Sequence, residues 1–241
     1  MKLGMLICDH VQQVLQPEFG DYKRMFGQLL EHSSVPIEVE YFYAIDGELP
    51  ENIDVCDAYM TSGSKWSVND DFQWIRDLER FIKQLYDAKK GFVGICFGHQ
   101  LLAKTLGGKV EQSDKGWGIG VSKSKVVSNQ DWMNPSQSNL NIVVSHQDQV
   151  TQLPVDSQIL LSNSFCPYGM IQIGEHFVGL QGHPEFTHEY SRALMHTRKD
   201  SIPPQRLKDG EASLQLKTDE IIAVEWLVNF LVKNADKNRT T

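Results

Sequence analysis

Short apolar runs alternate with amphipathic stretches along the chain, and they predict alternating strands and helices. Strands are expected at 3–8, 37–44, 57–62, 91–96, 141–146, 158–163, 169–174 and 177–182. Helical periodicity is read at 20–32, 70–88, 98–106, 186–197 and 218–233. Between 70 and 88, Phe72, Ile75, Leu78, Phe81, Ile82 and Leu85 fall on one apolar stripe. The first half alternates β and α, which predicts a parallel sheet with right-handed crossovers. GFVGIC (91–96) lacks polar alternation, as a central strand covered on both faces should. From 109 to 182 the chain is strand-rich, so an antiparallel extension or meander on the same sheet is expected. The polar segment 198–212 holds Pro203-Pro204 and is expected to be a surface loop before the last helix. No repeat, low-complexity tract or linker interrupts the pattern. The expectation is an α/β fold in one domain, 1–241: an open, mostly parallel sheet flanked by helices, with a small antiparallel extension.

Composition narrows the function classes. The chain has 241 residues, 41% hydrophobic and 22% charged, with a net charge of −8. An acidic surface repels phosphates at long range, so no nucleic-acid partner is expected. No apolar run reaches the ~20 residues needed to cross a bilayer, so no membrane partner is expected either. The N-terminal apolar segment is cut off by Asp9 and His10 and reads as a first strand, not a signal peptide. Four cysteines lie far apart with no C-x-x-C pair, and a chain this long builds a core without disulfides. A reducing, cytoplasmic setting is expected.

Candidate chemistry begins at Gly94-Ile95-Cys96-Phe97-Gly98, a G-x-C-x-G at a predicted strand-to-helix junction. This is the thiol counterpart of the nucleophile elbow. A sharp turn there forces the middle residue into a strained backbone, and the flanking glycines let neighbouring chain approach. A helix start favours thiolate, and the Phe97 N–H points where an oxyanion forms. A buried inert thiol is the plain alternative. A zinc site would need a second ligand pair beside Cys96 and His99, and none is visible, so no metal is expected.

A nucleophilic cysteine needs a base, and the base needs an orienting group. His183, in FVGLQGHPEF, follows an apolar strand directly. Pro184 disfavours the helical conformation at His183, and in extended chain Glu185 projects to the same side as His183. His99 reads as a packing or hydrogen-bonding residue just inside the elbow helix.

GICFGHQLLAKTLGG together with LQGHPEF resembles the class I, triad-type glutamine amidotransferases over about residues 1–197. TSGSKWSV (61–68) resembles that family's oxyanion loop. KGWGIGV (115–121) and SHQDQVTQLP (145–154) resemble segments of GMP synthase glutaminase domains. The resemblance implies a flavodoxin-like fold and a thioester mechanism without a cofactor. Cys96 would attack the γ-carboxamide of glutamine, His183 would shuttle the proton, and Glu185 would orient His183. Phe97 and the Gly63-Ser64 turn would hold the oxyanion, and Gln100, Ser145 and His146 would bind the glutamine α-groups. Ser64 and Lys65 stand where the family has Gly and Pro, so the loop donor requires a negative φ at Ser64. Lys65 and Trp66 could instead shape a different substrate pocket.

No phosphate-binding G-x-x-x-x-G-K-[ST] motif occurs. The leading reading is a glutaminase subunit that passes ammonia to a separate synthase. The alternatives are a free-standing γ-glutamyl peptidase similar to stand-alone members of the family, a protease or deglycase branch, and a non-enzymatic regulatory module. Phe97 after Cys96 argues against the protease or deglycase branch, whose base often follows the cysteine directly.

Overall fold

A computed structural model describes residues 1–239. The strands are β1 (Lys2–Leu6), β2 (Glu38–Phe42), β3 (Ala58–Thr61), β4 (Gly91–Ile95), β5 (Lys109–Gln112), β6 (Gly118–Val126), β7 (Asn139–His146), β8 (Asp148–Gln152), β9 (Ser157–Ser162), β10 (Met170–Ile173) and β11 (Phe177–Leu180). The helices are α1 (Gln16–Phe19), α2 (Tyr22–Leu30), α3 (Gln73–Asp87), α4 (Phe97–Thr105), α5 (His188–Thr197), α6 (Pro204–Ser213) and α7 (Glu220–Arg239).

Nine strands form one sheet in the order β2-β1-β3-β4-β11-β10-β9-β6-β7. The pairings from β2 through to β11 are parallel. From β11 through β10, β9 and β6 to β7 they are antiparallel. The strand-rich segment therefore continues the main sheet, and only β5 and β8 pair separately.

Side-chain alternation splits the core between the two faces of this sheet. Leu3 and Met5 of β1, Val93 and Ile95 of β4, and Val178 and Leu180 of β11 pack on one face with Trp226 and Phe230 of α7. Leu6, Tyr59, Phe92 and Phe177 pack on the other with α3 and α4. Every residue of β4 is buried, as its unbroken apolar run requires. Each fully buried large apolar side chain stabilises the fold by about 1.5–3 kcal/mol. In α3 the buried stripe is Trp74, Ile75, Leu78, Phe81, Ile82 and Leu85. Phe72 is not part of it: it is the N-cap residue, exposed, with its ring edge-on to Trp66 at 4.7 Å.

Two expectations need correction. The segment 198–212 is not one long loop, because α6 occupies Pro204–Ser213. Pro203-Pro204 reads as a break, but proline in the first turn of a helix lacks only an N–H that would go unpaired there. Strands β5, β6 and β8 were not expected; β5 has one buried residue and β8 two, too few to show an alternation. Among the described residues, no helix is long and apolar enough to cross a membrane.

Candidate active site

Cys96 follows β4, and β11, which delivers His183, is the parallel neighbour of β4. Parallel strands put their carboxyl ends on one edge, and open α/β sheets hold their ligand crevices there. The chain leaves β4 into α4 so sharply that Cys96 has φ 48° and ψ −93°. Such a backbone is costly for a residue with a Cβ and is found where the surroundings over-determine it. Here they do. The Cys96 N–H donates to Leu180 O at 2.8 Å, and its carbonyl accepts from Gln100 N at 3.1 Å.

The glycines of G-x-C-x-G have separate steric reasons. A Cβ on Gly94 would lie 2.4 Å from the Gly98 backbone, and one on Gly98 would lie 1.7 Å from Thr61 Oγ1. Strand β4, the first turn of α4 and the end of β3 are thus in direct contact.

His183 and Glu185 are buried. His183 Nδ1 lies 2.8 Å from Glu185 Oε1, and the ring stacks on Phe186 at 4.0 Å with an interplanar angle of 4°. The two side chains meet through a turn, not along extended chain as the sequence suggested: Pro184 and Glu185 are turn residues, closed by Phe186 N donating to His183 O at 3.4 Å. Burial alone would lower the His183 pKa. The charges of Cys96 and Glu185, with hydrogen bonds to both, outweigh it and raise the pKa to about 10.

The end of β3 supplies the facing loop. Ser64 does not have a positive φ, so the condition set by the Gly-to-Ser difference is met. Gly63 is glycine for another reason: a Cβ there would lie 2.6 Å from His183 Cε1. The loop is held by Asp9, three residues beyond β1. Buried Asp9 accepts from Lys65 N at 2.8 Å and from Lys65 Nζ at 3.1 Å. Ser62 Oγ accepts from Cys8 N at 2.8 Å and lies 3.0 Å from Gly63 O.

Gln100, on the first turns of α4, is buried rather than solvated. Its Nε2 donates to Asp148 O at 2.8 Å and to Gln181 Oε1 at 3.2 Å, so its carbonyl oxygen is the end left for a ligand. Ser145 and His146 close β7 on the opposite wall. His146 Nδ1 donates to Asp148 O at 3.1 Å. Burial lowers its pKa to about 3, so the ring is neutral at physiological pH. His99 is buried against Gly179 and lowered to about 4, again by burial first, which makes it a packing residue.

Cys96, Gln100, Ser145, His146 and Ser64 all border one cleft of about 400 Å³. Sequence reasoning missed two residues that join them. Gln181 donates to Cys96 Sγ at 3.4 Å and accepts from Gln100; its only signal was its place two residues before His183. Asp9 carried a signal in being polar at the end of an apolar strand, but it was read only as the end of an apolar run. Among the described residues, no group of His, Cys, Asp and Glu is arranged to hold a metal ion.

An open α/β sheet that gathers a cysteine, a histidine and a carboxylate at neighbouring strand ends is the geometry of the α/β thiol hydrolases. Comparison with known proteins narrows that class. The family profile "Glutamine amidotransferase class-I" matches residues 18–199. Gamma-glutamyl peptidase 3 of Arabidopsis thaliana is 30% identical, over 95% of this chain and 95% of its own length. A GMP synthase [glutamine-hydrolyzing] of Tolumonas auensis is 27% identical over 88% of this chain and 43% of its own. A glutamine amidotransferase from Thermotoga maritima has the same fold, with a TM-score of 0.71 and 20% identity over 97% of both chains. The chain belongs to the class-I glutamine amidotransferase family and is a hydrolytic enzyme of it.

Proposed function

We propose that the protein hydrolyses γ-glutamyl amide bonds through a thioester on Cys96, and that it works as a free-standing γ-glutamyl peptidase. The observation that carries the chemistry is the strained Cys96, which lines the cleft and is hydrogen-bonded to His183 of the buried His183–Glu185 pair. The similarity to γ-glutamyl peptidase 3 over nearly the whole of both chains favours a peptidase.

In this reading the Cys96 thiol gives its proton to His183 as its sulfur attacks the γ-carbonyl carbon, and the π electrons move to oxygen. The N–H groups of Phe97 and of the Gly63-Ser64 turn donate hydrogen bonds to that oxyanion. The tetrahedral intermediate collapses, the C–N bond breaks, and the His183 proton goes to the departing nitrogen. Glu185 holds the imidazole in orientation throughout. His183 then takes a proton from water, whose oxygen attacks the thioester carbon; the C–S bond breaks, the His183 proton returns to the Cys96 sulfur, and glutamate is released. Gln100 and the Ser145-His146 corner hold the α-amino and α-carboxylate groups of the glutamyl moiety. No cofactor enters any step.

A second reading, a glutaminase that passes ammonia to a synthase chain, is favoured by the similarity to GMP synthase over 88% of this chain. Turnover separates the two: a peptidase is fully active alone, while a glutaminase subunit is stimulated by its partner.

The test is turnover of γ-glutamyl-p-nitroanilide, γ-glutamyl dipeptides and glutamine by the wild type and by Cys96→Ala. The expected result is hydrolysis by the wild type and a loss of about 10³-fold or more in the variant, since such residues act as a unit. The reading is sunk if the wild type cleaves none of them and a glutamine-like affinity label leaves Cys96 unmodified.

A further inference from the structure

His183 is held by two neighbours, and only one of them has a part in the chemistry above. Glu185 Oε1 fixes Nδ1 at 2.8 Å. A single hydrogen bond tolerates some tilt of the ring plane. The plane itself is set by Phe186, whose buried ring lies 4.0 Å from the imidazole at an interplanar angle of 4°.

Phe186 is in turn clamped from two helices. Tyr22, which opens α2, stacks on it at 6.5 Å and 28°. Tyr190 of α5 meets it edge-on at 4.6 Å, and Phe19 of α1 meets Tyr190 edge-on at 5.4 Å. Both tyrosines are buried. Burial comes first in raising their pKa values, that of Tyr190 to about 12, so neither becomes an anion beside the stack.

Charge decides what such a stack does. The charged groups that act on His183 are Cys96, to which it is hydrogen-bonded, and Glu185. His146, at the end of β7, also acts across this space and is neutral at physiological pH. Gly63, which approaches from the β3 loop, brings no charge. An aromatic face attracts a cation through its quadrupole, so Phe186 favours imidazolium over imidazole. Imidazolium is the form that His183 takes when Cys96 gives up its proton.

We propose that Phe186 is a positioning residue for the base: its ring, clamped by Tyr22 and Tyr190, holds the His183 imidazole in plane and favours the protonated ring, so that the Cys96 thiolate forms at lower pH. This rests on His183 acting as the base in the γ-glutamyl reading above.

Two measurements on the wild type, Phe186→Leu and Phe186→Tyr test this, with melting curves beside them. The first is the pH profile of Cys96 alkylation by iodoacetamide, followed by mass spectrometry of the Cys96 peptide. It needs no substrate. The acid limb should move up by about half a pH unit in Phe186→Leu, the usual worth of one cation–π contact. It should stay in place in Phe186→Tyr, which keeps the ring. The second is turnover of γ-glutamyl-p-nitroanilide. Here kcat should fall by about tenfold or more in Phe186→Leu with KM nearly unchanged, and recover in Phe186→Tyr. A ring that only fills space would leave the acid limb of Phe186→Leu at its wild-type position, and that result overturns the assignment whatever happens to kcat. If Phe186→Leu does not fold, Phe186→Met is read in its place. Absence of turnover in the wild type overturns the γ-glutamyl reading, while the alkylation profile still decides the role of Phe186.

Discussion

Gly63 fixes how close the β3 loop comes to His183. An added Cβ would sit 2.6 Å from His183 Cε1, and the imidazole cannot retreat. Glu185 holds it at Nδ1 and Phe186 lies flat against its face. Gly63→Ala should therefore lower kcat by about 10²-fold, because a displacement near 1 Å of a reacting group costs about that much. The thermal midpoint should fall as well, since Gly63 is buried against His183 and Cys96. Steady-state kinetics beside a melting curve tests this, and a large fall in midpoint with kcat preserved would contradict it. At this scale the sequence is legible where chemistry is local. G-x-C-x-G and H-P-E each sit on one short segment, and the structure brings them together. Asp9 and Gln181 were not legible as partners, because their meaning depends on which strand ends become neighbours.

Helix α6 shows why an element can be hidden in sequence. Gly210 is its only buried residue, so it presents no apolar stripe to read. Tertiary contacts hold it instead. Ser213 Oγ accepts from Val121 N at 2.8 Å and donates to Gly210 O at 2.6 Å. Gly120 of β6 has φ +78°, and a Cβ there would lie 2.1 Å from Ser213 Oγ and 2.5 Å from Gly210 O. Gly120→Ala combines a left-handed backbone on a residue that resists it with a collision against α6. A destabilisation of about 2 kcal/mol or more is expected. Amide exchange should accelerate at 204–213 well before it does in β4. Uniform acceleration across the sheet would mean that α6 is not the weak element. The central strands were legible for the opposite reason: burial on both faces leaves an apolar run that needs no partner to be recognised.

For the whole molecule, buried histidines set the acid limit. His99 and His146 are neutral inside the fold, with pKa values of about 4 and about 3 against an ordinary 6.5. Below pH 6.5 the unfolded chain takes up protons at both sites while the folded chain does not. Stability from these two groups is thus present above pH 6.5 and is lost as pH falls toward 4 and 3. The urea midpoint should drop between pH 7 and pH 4, and less steeply in His99→Asn. His183 acts with the opposite sign. Its pKa is raised to about 10, so its contribution is complete below pH 6.5 and fades as pH climbs through 10. Acid and alkali therefore act through different histidines, His99 and His146 on one side of neutrality and His183 on the other.

The insertion of β11 between β4 and β10 has a consequence for the order in which the chain becomes an enzyme. Gln181 and Cys96, which touch in the folded state, are 85 residues apart in sequence. During synthesis the cysteine turn emerges long before the strand that brings His183, and contacts over such a span form slowly. The nascent half-sheet carries a thiol with no histidine beside it. On the proposed chemistry, the cysteine and its base meet only when β11, the last strand of this sheet in sequence, has slotted in beside β4.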